Sequence, residues 1–375
     1  MPDFHYTDPD SLAFLPYSSG TTGLPKGVQL IHRNIVANLC QSSHPSSNLI
    51  ETATDSYQEV IPVVLPMFHI YGFSVCMMYT GTKGSKLITL PKFTPELYIS
   101  VIKNNPVTSA FVAPPLVLFL THHSDVKPEY FKHLRRVVSG AAPLGQLDED
   151  KFKEKFGSHI QVKQGYGLTE TSPVVCFFPN EIKTKTNIGG SVGKPIPATI
   201  LKVINPNDPK ATPLGVNETG EILVKGPQVM KGYHNRPEET ANVFLDGWLR
   251  TGDIGYYNED GFVFISDRLK ELIKVKGYQV PPAELEEIIR DIPEVEDAAV
   301  IGIPHPTDGE VPRAYVVPKK GKTVDPEAVK SYVAGKVAKY KQLKGGVSVV
   351  GEIPKNPTGK ILRRKLKTIW EDTGC

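Results

Sequence analysis

The chain has 375 residues, 40% of them hydrophobic and 22% charged, with Gly 32, Pro 33 and a net charge of +3. That is enough chain for two or three folding units with real cores; its composition excludes intrinsic disorder, and its glycine and proline content favours a loop-rich α/β protein over a helical bundle. The 4 cysteines lie far apart without a C-x-x-C pair, so neither a disulfide framework nor a zinc site is indicated, and a reduced, cytoplasmic protein is expected.

In chain order, the opening MPDFHYTDPD shows no basic patch followed by an apolar core, so no secretory leader is read there. Ala13–Tyr17 is a short apolar run, expected as a parallel-sheet strand buried on both faces. From 60 to 165, strand runs Val60–Leu65, Lys86–Leu90, Thr108–Val112, Leu134–Ser139 and Ile160–Gln164 alternate with helical stretches Thr94–Lys103, Pro114–His122 and Leu147–Phe156. This alternation predicts βαβ units and a mostly parallel sheet. The most apolar segment, Ala110–Leu120, is broken by Pro114 and Pro115 and falls well short of the ~20 residues of a membrane span.

Residues 199–266 change character. Short β runs (Thr199–Ile204, Glu221–Lys225, Gly261–Ile265) separated by Gly, Pro, Asn and Asp predict a small antiparallel sheet or barrel. After Arg268, helices over Pro281–Arg290 and Asp325–Tyr340 and strands over Val295–Ile303, Arg313–Pro318 and Val347–Val350 predict a compact α+β unit. Residues 311–375 hold 15 Lys/Arg against 5 Asp/Glu, a bias that suits phosphates, although Lys330, Lys336 and Lys339 fit the wet face of a helix. The terminal DTGC is neither a peroxisomal tripeptide nor a prenylation box.

Chemistry concentrates in a few segments. Ser18-Ser19-Gly20-Thr21-Thr22-Gly-Leu-Pro-Lys26-Gly27 stands between two β runs. Small and hydroxylated residues let backbone N–H groups converge on an anion, and Lys26 adds a point charge. It is not a Walker loop, because Gly27 rather than Ser or Thr follows the lysine and the β-like run Val28–Ile31 replaces the helix. GYGLTE (165–170), TGDIG (251–255), DRLKELIKVKGYQV (267–280) and PTGK (357–360) follow in that order.

In this order the five segments resemble the adenylate-forming superfamily: acyl- and aryl-CoA synthetases, 4-coumarate–CoA ligases, beetle luciferases and peptide-synthetase adenylation domains. The resemblance runs from about Leu12 to Lys365. It implies a large α/β domain over 1–268, with a β-rich subdomain from about 190, and a small mobile α+β lid over 269–375 (core about 283–360) hinged at Lys270. Family members carry a long segment before the phosphate loop, whereas Met1 lies only 17 residues ahead of Ser18, so an N-terminally shortened chain is expected.

The implied reaction joins a carboxylic acid to ATP, releasing pyrophosphate, and a coenzyme A thiol then displaces AMP. Ser18–Thr22 and Lys26 would cradle phosphates, Glu170 would hold Mg²⁺ and Thr169 would meet the α-phosphate. Gln164, Gly165 and Tyr166 would line the adenine, and Asp253 with Arg268 would take the ribose hydroxyls. Lys360 would bridge the attacking carboxylate and the α-phosphate, where negative charge accumulates. Lys274 and Gln279 would serve the thioester step, with Lys92, Lys276 and Gly277 on coenzyme A.

PMFHIYGF (66–73) places His69 at the pocket entrance in the ligase pattern, since luciferases carry two adjacent histidines there. Tyr71, Val75, Ala142, Gly167 and Phe177 would line an apolar slot for an aromatic or fatty acid, one that a leucine at 167 is expected to fill. Alternatives are a luciferase-like adenylating oxygenase and a non-catalytic nucleotide-binding remnant; nucleic acid is not expected as a partner. The two lysine motifs make a prediction. Lys360→Ala should slow adenylate formation by ~10²-fold while sparing thioester formation from supplied acyl-adenylate, and Lys274→Ala should do the reverse, as read by the two half-reactions assayed separately.

Overall fold

The computed structural model describes residues 7–18, 25–182, 184, 186, 188–208, 210–356 and 359–374. Ser19, Gly20, Thr21 and Thr22 of the phosphate loop therefore lie outside the described residues, as do Pro357 and Thr358 of PTGK. The chain divides into two compact units. One reaches to Thr251 and also holds Gly255–Phe264; the other holds Gly252–Ile254 and everything from Ile265 onward.

In the first unit, Val60–Val63 pairs in parallel with Lys86–Thr89, and Ser109–Val112, Arg136–Ser139 and Gln161–Gln164 form a three-stranded parallel sheet in that order. The Thr108 N–H donates to the Val60 carbonyl at 3.0 Å, joining the two sets. Helices Pro95–Asn104, Pro114–His122 and Gln146–Phe156 connect the strands. Pro95 supplies a preset φ at the first helical position, and the Thr94 hydroxyl caps the turn by accepting from the Leu97 N–H at 3.2 Å. Val112, Val117, Leu120, Val137, Phe152 and Ile160 fill the space between helices and sheet, all essentially water-free. Ile200–Ile204, Gly220–Lys225, Trp248–Tyr257 and Phe244–Leu245 lie in that order in a further sheet, its first and last pairs antiparallel.

In the second unit, Val295–His305 and Gly309–Pro318 form a long antiparallel pair. On the remaining edge of Gly309–Pro318, Val347–Val349 adds in parallel along 314–316, and the hairpin Ile273–Val275/Tyr278–Val280 joins at Gly309. Helices Pro282–Arg290 and Pro326–Ala334 cover the sheet through Leu285, Ile289, Val329 and Val333. The expected helix Asp325–Tyr340 stops early because Gly335 follows Ala334, and only a single 3₁₀ turn, Lys339–Lys341, comes after it. Among the described residues no helix is long and apolar enough to cross a membrane.

The reading of the first strand is corrected. Ala13–Tyr17 is not a buried parallel strand. It is split into Leu12–Phe14 and Tyr17–Ser18, both antiparallel to Lys26–Ile31, with Leu12 49% and Tyr17 65% exposed. Pro16 breaks the run because it has no N–H to donate, and its carbonyl instead accepts from the Val28 N–H at 2.8 Å. The helix His32–Ser43 is absent from the reading because its buried face carries amides: Asn34, Asn38 and Gln41.

Those amides do the work of a ladder. Asn38 donates to the Val174 carbonyl at 2.9 Å and accepts from the Val174 N–H at 3.1 Å. Asn34 donates to the carbonyls of Pro227 and Val229, and Gln41 to Gln228, whose own carbonyl accepts from Ser172 Oγ. The helix is thereby tied to two backbone segments that flank Glu170. Asn38→Ala should strand two buried backbone groups and cost the first unit about 2–4 kcal/mol. A urea melt followed by Trp248 fluorescence in a Trp370→Phe background would read this unit alone, since the chain has Trp 2.

Candidate active site

The strand that leaves the phosphate loop fixes the first half of the site. Ser18 and Lys26 are register partners across the loop's base, and the same strand pairs on its other edge with Gly232–Tyr233. Tyr233 consequently stands beside the GYGLTE segment, where its hydroxyl donates to Glu170 Oε1 at 2.9 Å. The Lys26 ammonium lies over the Tyr233 ring, 4.9 Å from its centroid. The Glu170 backbone is held too, its carbonyl accepting from the Met230 N–H at 2.9 Å. A cation, a phenol and a carboxylate are thus gathered beside the Ser18–Lys26 strand pair.

A single carboxylate with one oxygen hydrogen-bonded suits Mg²⁺ that travels on nucleotide phosphates rather than in an all-protein cage. No group of three or more His, Cys, Asp or Glu able to hold a metal occurs among the described residues.

The acyl-side residues separate into two groups. Tyr71, Val75 and Phe177 belong to one apolar cluster. Tyr71 donates to the Val138 carbonyl at 3.0 Å, and burial pushes its phenol well up, so it is a neutral wall. His69 accepts from the Tyr71 N–H at 3.2 Å, and burial lowers its pKa, keeping the imidazole neutral at pH 7. Ala142 sits half-buried after Ala141, whose φ is 71°. Gly165 backs onto Phe177: a Cβ there would lie 3.4 Å from its ring.

Gly167 departs from the expectation that a larger residue would simply fill the slot. It is exposed, pairs with Val174, and a Cβ on it would stand 2.1 Å from the Pro173 carbonyl oxygen. A leucine there would break the strand pair first. Gln164 is buried with its amide clamped on Leu144, accepting from the N–H at 2.9 Å and donating to the carbonyl at 2.8 Å. Its side chain braces the 140–144 turn. Lys92 is exposed.

The second unit carries the other charged group. Arg268 Nε lies 3.1 Å from Asp253 Oδ1, with Asp253 buried. Lys360 is held on its loop by its own N–H donating to Asn356 Oδ1 at 2.9 Å, and its ammonium lies 3.4 Å from Glu271 Oε1. Burial, then the nearby Arg268, lowers the Lys360 pKa; Glu271 and Asp253 oppose that shift. Asp267, buried just before Arg268, is pushed up to about 6 by desolvation, against the pull of Arg363. The Asp253–Arg268 pair is therefore near enough to Lys360 to act on its charge.

Lys274 and Gln279 are cross-strand partners on a separate feature, the hairpin closed by Lys276-Gly277. Both turn residues have positive φ (50° and 82°), as a two-residue type I′ turn requires. Asp308 clamps this turn: its carbonyl accepts from the Lys276 N–H at 2.7 Å and its Oδ1 lies 3.3 Å from the Lys276 ammonium.

Three residues of this geometry were given no role from the sequence: Tyr233 and Arg363, which lie outside the motifs, and Glu271, which lies within one. Tyr233 lies 63 residues from Glu170 in the chain. Glu271 follows the DRLK lysine directly, which was the available signal.

The α/β unit with a phosphate-loop strand, and the smaller α+β unit with its lysine loop, define a nucleotide-binding enzyme fold. The family model for AMP-binding enzymes matches residues 2–234, and that for the AMP-binding enzyme C-terminal domain matches 284–360. The chain belongs to the AMP-binding enzyme family. It is 42% identical over 356 residues to "Probable 4-coumarate--CoA ligase 1" of Dictyostelium discoideum, covering 95% of this chain and 63% of that protein. With 4-coumarate–CoA ligase 3 of Oryza sativa subsp. japonica it shares 40% over 364 residues, covering 96% and 64%. The chain thus spans a little under two thirds of the length of these relatives.

Among solved structures, ATP-bound MatB from Rhodopseudomonas palustris is similar at a TM-score of 0.86 and 32% identity, covering 98% of this chain and 69% of that one. O-succinylbenzoate coenzyme A synthetase from Bacillus subtilis with AMP matches at 0.79 and 32%, covering 96% and 70%.

The Tyr233–Glu170 contact makes a prediction. Removing the hydroxyl in Tyr233→Phe should raise the Mg²⁺ concentration needed for half-maximal pyrophosphate exchange by about 10-fold, the worth of one hydrogen bond to a charged group, with the thermal melt nearly unchanged.

Proposed function

We propose that this chain is an ATP-dependent carboxylic acid–coenzyme A ligase that works through an acyl-adenylate and takes an apolar aromatic or fatty acid. The observation that carries the reading is the meeting of Lys360 with the Asp253–Arg268 pair in the second unit. A ribose held by Asp253 would present the nucleotide's α-phosphate toward a lysine able to neutralise the attacking carboxylate. The Glu170–Tyr233–Lys26 group would hold the phosphate side, with Mg²⁺ supplying neutralisation of phosphate charge when bound.

In this reading ATP binds first on the phosphate loop, and the acid enters beside His69, whose neutral ring adds no charge of its own. The attacking carboxylate is aligned with the α-phosphate by Lys360, and water is excluded by the apolar walls of Tyr71, Val75 and Phe177. Rotation at Lys270 would then exchange Lys360 for the Lys274–Gln279 hairpin, which would take the adenylate into thioester formation. Lys276, Gly277 and Lys92 would contact coenzyme A. The buried, uncharged character of the acyl side favours cinnamate-like or fatty acids over acetate or an amino acid.

The test is pyrophosphate exchange over a panel of carboxylic acids, followed by thioester detection with coenzyme A. Exchange is expected with the apolar acids and should be at least about 10-fold weaker with acetate, on the ~0.8 kcal/mol per buried CH₂ of a longer chain. Exchange with amino acids alone, or nucleotide binding with no exchange for any acid, would overturn the reading.

A further inference from the structure

The position of Glu271 carries an inference that rests on the ligase reading above. Its two oxygens have different duties. Oε1 lies 3.4 Å from the Lys360 ammonium, and Oε2 lies 2.7 Å from Arg363 Nη1. Arg363 is itself pinned: Nη2 lies 2.7 Å from Glu286 Oε1 and Nε donates to the Val300 carbonyl at 3.2 Å. Glu286 Oε1 in turn accepts from the Val300 N–H at 2.9 Å. The carboxylate facing Lys360 is therefore anchored, through one guanidinium, to the longest strand of the unit, with all four side chains largely shielded from water.

We propose that Glu271 is a positioning residue for adenylate formation: fixed by Arg363, it aims the ammonium of Lys360 at the place beside Asp253 and Arg268 where the reacting phosphate would lie. Lys360 sits on a loop anchored by Asn356, and a long flexible side chain without a fixed partner would spend its rotamer entropy at the moment of reaction. A second consequence concerns charge. Burial and Arg268 both work against the protonated form of Lys360, while Glu271 and Asp253 favour it. Of these two acids, Asp253 is committed to Arg268. Glu271 directly follows Lys270, so a turn of the chain beyond Lys270, as in the ligase reading above, would carry Glu271 along with Lys360.

A bystander ion pair would also shift the titration of Lys360, but its loss would leave pyrophosphate exchange unchanged at pH values where Lys360 stays protonated, and this separates the readings. The charged groups around the pair are Asp253 and Arg268 on the Lys360 side, and Arg363, Glu286 and Asp267 on the Glu271 side. The experiment measures amine labelling of Lys360 against pH by peptide mass spectrometry in the wild type, Glu271→Gln and Glu271→Asp, with circular dichroism as the folding control. Glu271→Gln should move the labelling midpoint down by about one pH unit, and the alkaline limb of pyrophosphate exchange should move with it. Glu271→Asp keeps the charge but withdraws it by one methylene, so the midpoint should stay while exchange slows by about 10-fold. Thioester formation from supplied acyl-adenylate should change less than about 3-fold in either variant.

An unmoved midpoint in folded Glu271→Gln, or wild-type exchange in that variant at pH values where Lys360 stays protonated, overturns the proposal. If that variant does not fold, wild-type exchange rates in Glu271→Asp overturn it instead. Absence of exchange in the wild type for every acid would defeat the ligase reading separately, and the labelling midpoint would still decide whether Glu271 governs Lys360.

Discussion

A guanidinium taken out of water must be surrounded by acceptors, and Arg363 is: Glu271, Glu286 and the Val300 carbonyl receive its N–H groups, with the Asp267 charge nearby. Burial alone would lower its pKa, but the Glu286, Glu271 and Asp267 carboxylates outweigh that and hold it charged. Removing one member of such a group leaves an unpaired buried charge, a cost of about 3–5 kcal/mol. The second unit's charged residues are consequently interdependent. The strand Val295–His305, the helix Pro282–Arg290 and the loop of Lys360 are referenced to the same guanidinium. The geometry that brings Lys360 to Asp253 and Arg268 depends on it.

The first unit solves the same problem with neutral groups. Asn34, Asn38 and Gln41 bond to backbone atoms of 174 and 227–229, and Ser172 and Gln228 close the set. Amides pay less for desolvation than ions and bond backbone on both donor and acceptor sides. They place Glu170 between two tethered segments, and the Met230 N–H on its carbonyl completes the fixation. The carboxylate is then oriented by Tyr233 from a strand that also pairs with the one carrying Lys26. Orientation at this half thus derives from strand pairing.

Much of the fold was legible in the sequence. The parallel strands and the helices between them appear where alternating β-rich and helical stretches are expected, within one or two residues at most ends, because each is apolar on the side that meets the core. Prolines stand at the helix starts at 95, 114, 282 and 326, where the first turn has no use for their missing N–H groups. The helix His32–Ser43 was illegible for the complementary reason: its buried face mixes the amides Asn34, Asn38 and Gln41 with Ile35, which dilutes the apolar stripe. Ala13–Tyr17 was misread because apolar content does not reveal which partner a strand finds, and here the partner is antiparallel and one-sided.

Residue type and spacing along the chain determined the family, the order of its motifs and the identity of the charged residues, since phosphates and carboxylates demand lysine, arginine and glycine in short local patterns. Only the tertiary structure decided which of them meet. It set Tyr233 on Glu170 across 63 residues and Arg363 on Glu271 across 92. It also turned the Gln164 side chain to brace the 140–144 turn and closed Gly167 against the Pro173 carbonyl. Local sequence encodes what a group can bond; which bond it makes is settled by strand register and by the requirement that every buried polar group find a partner.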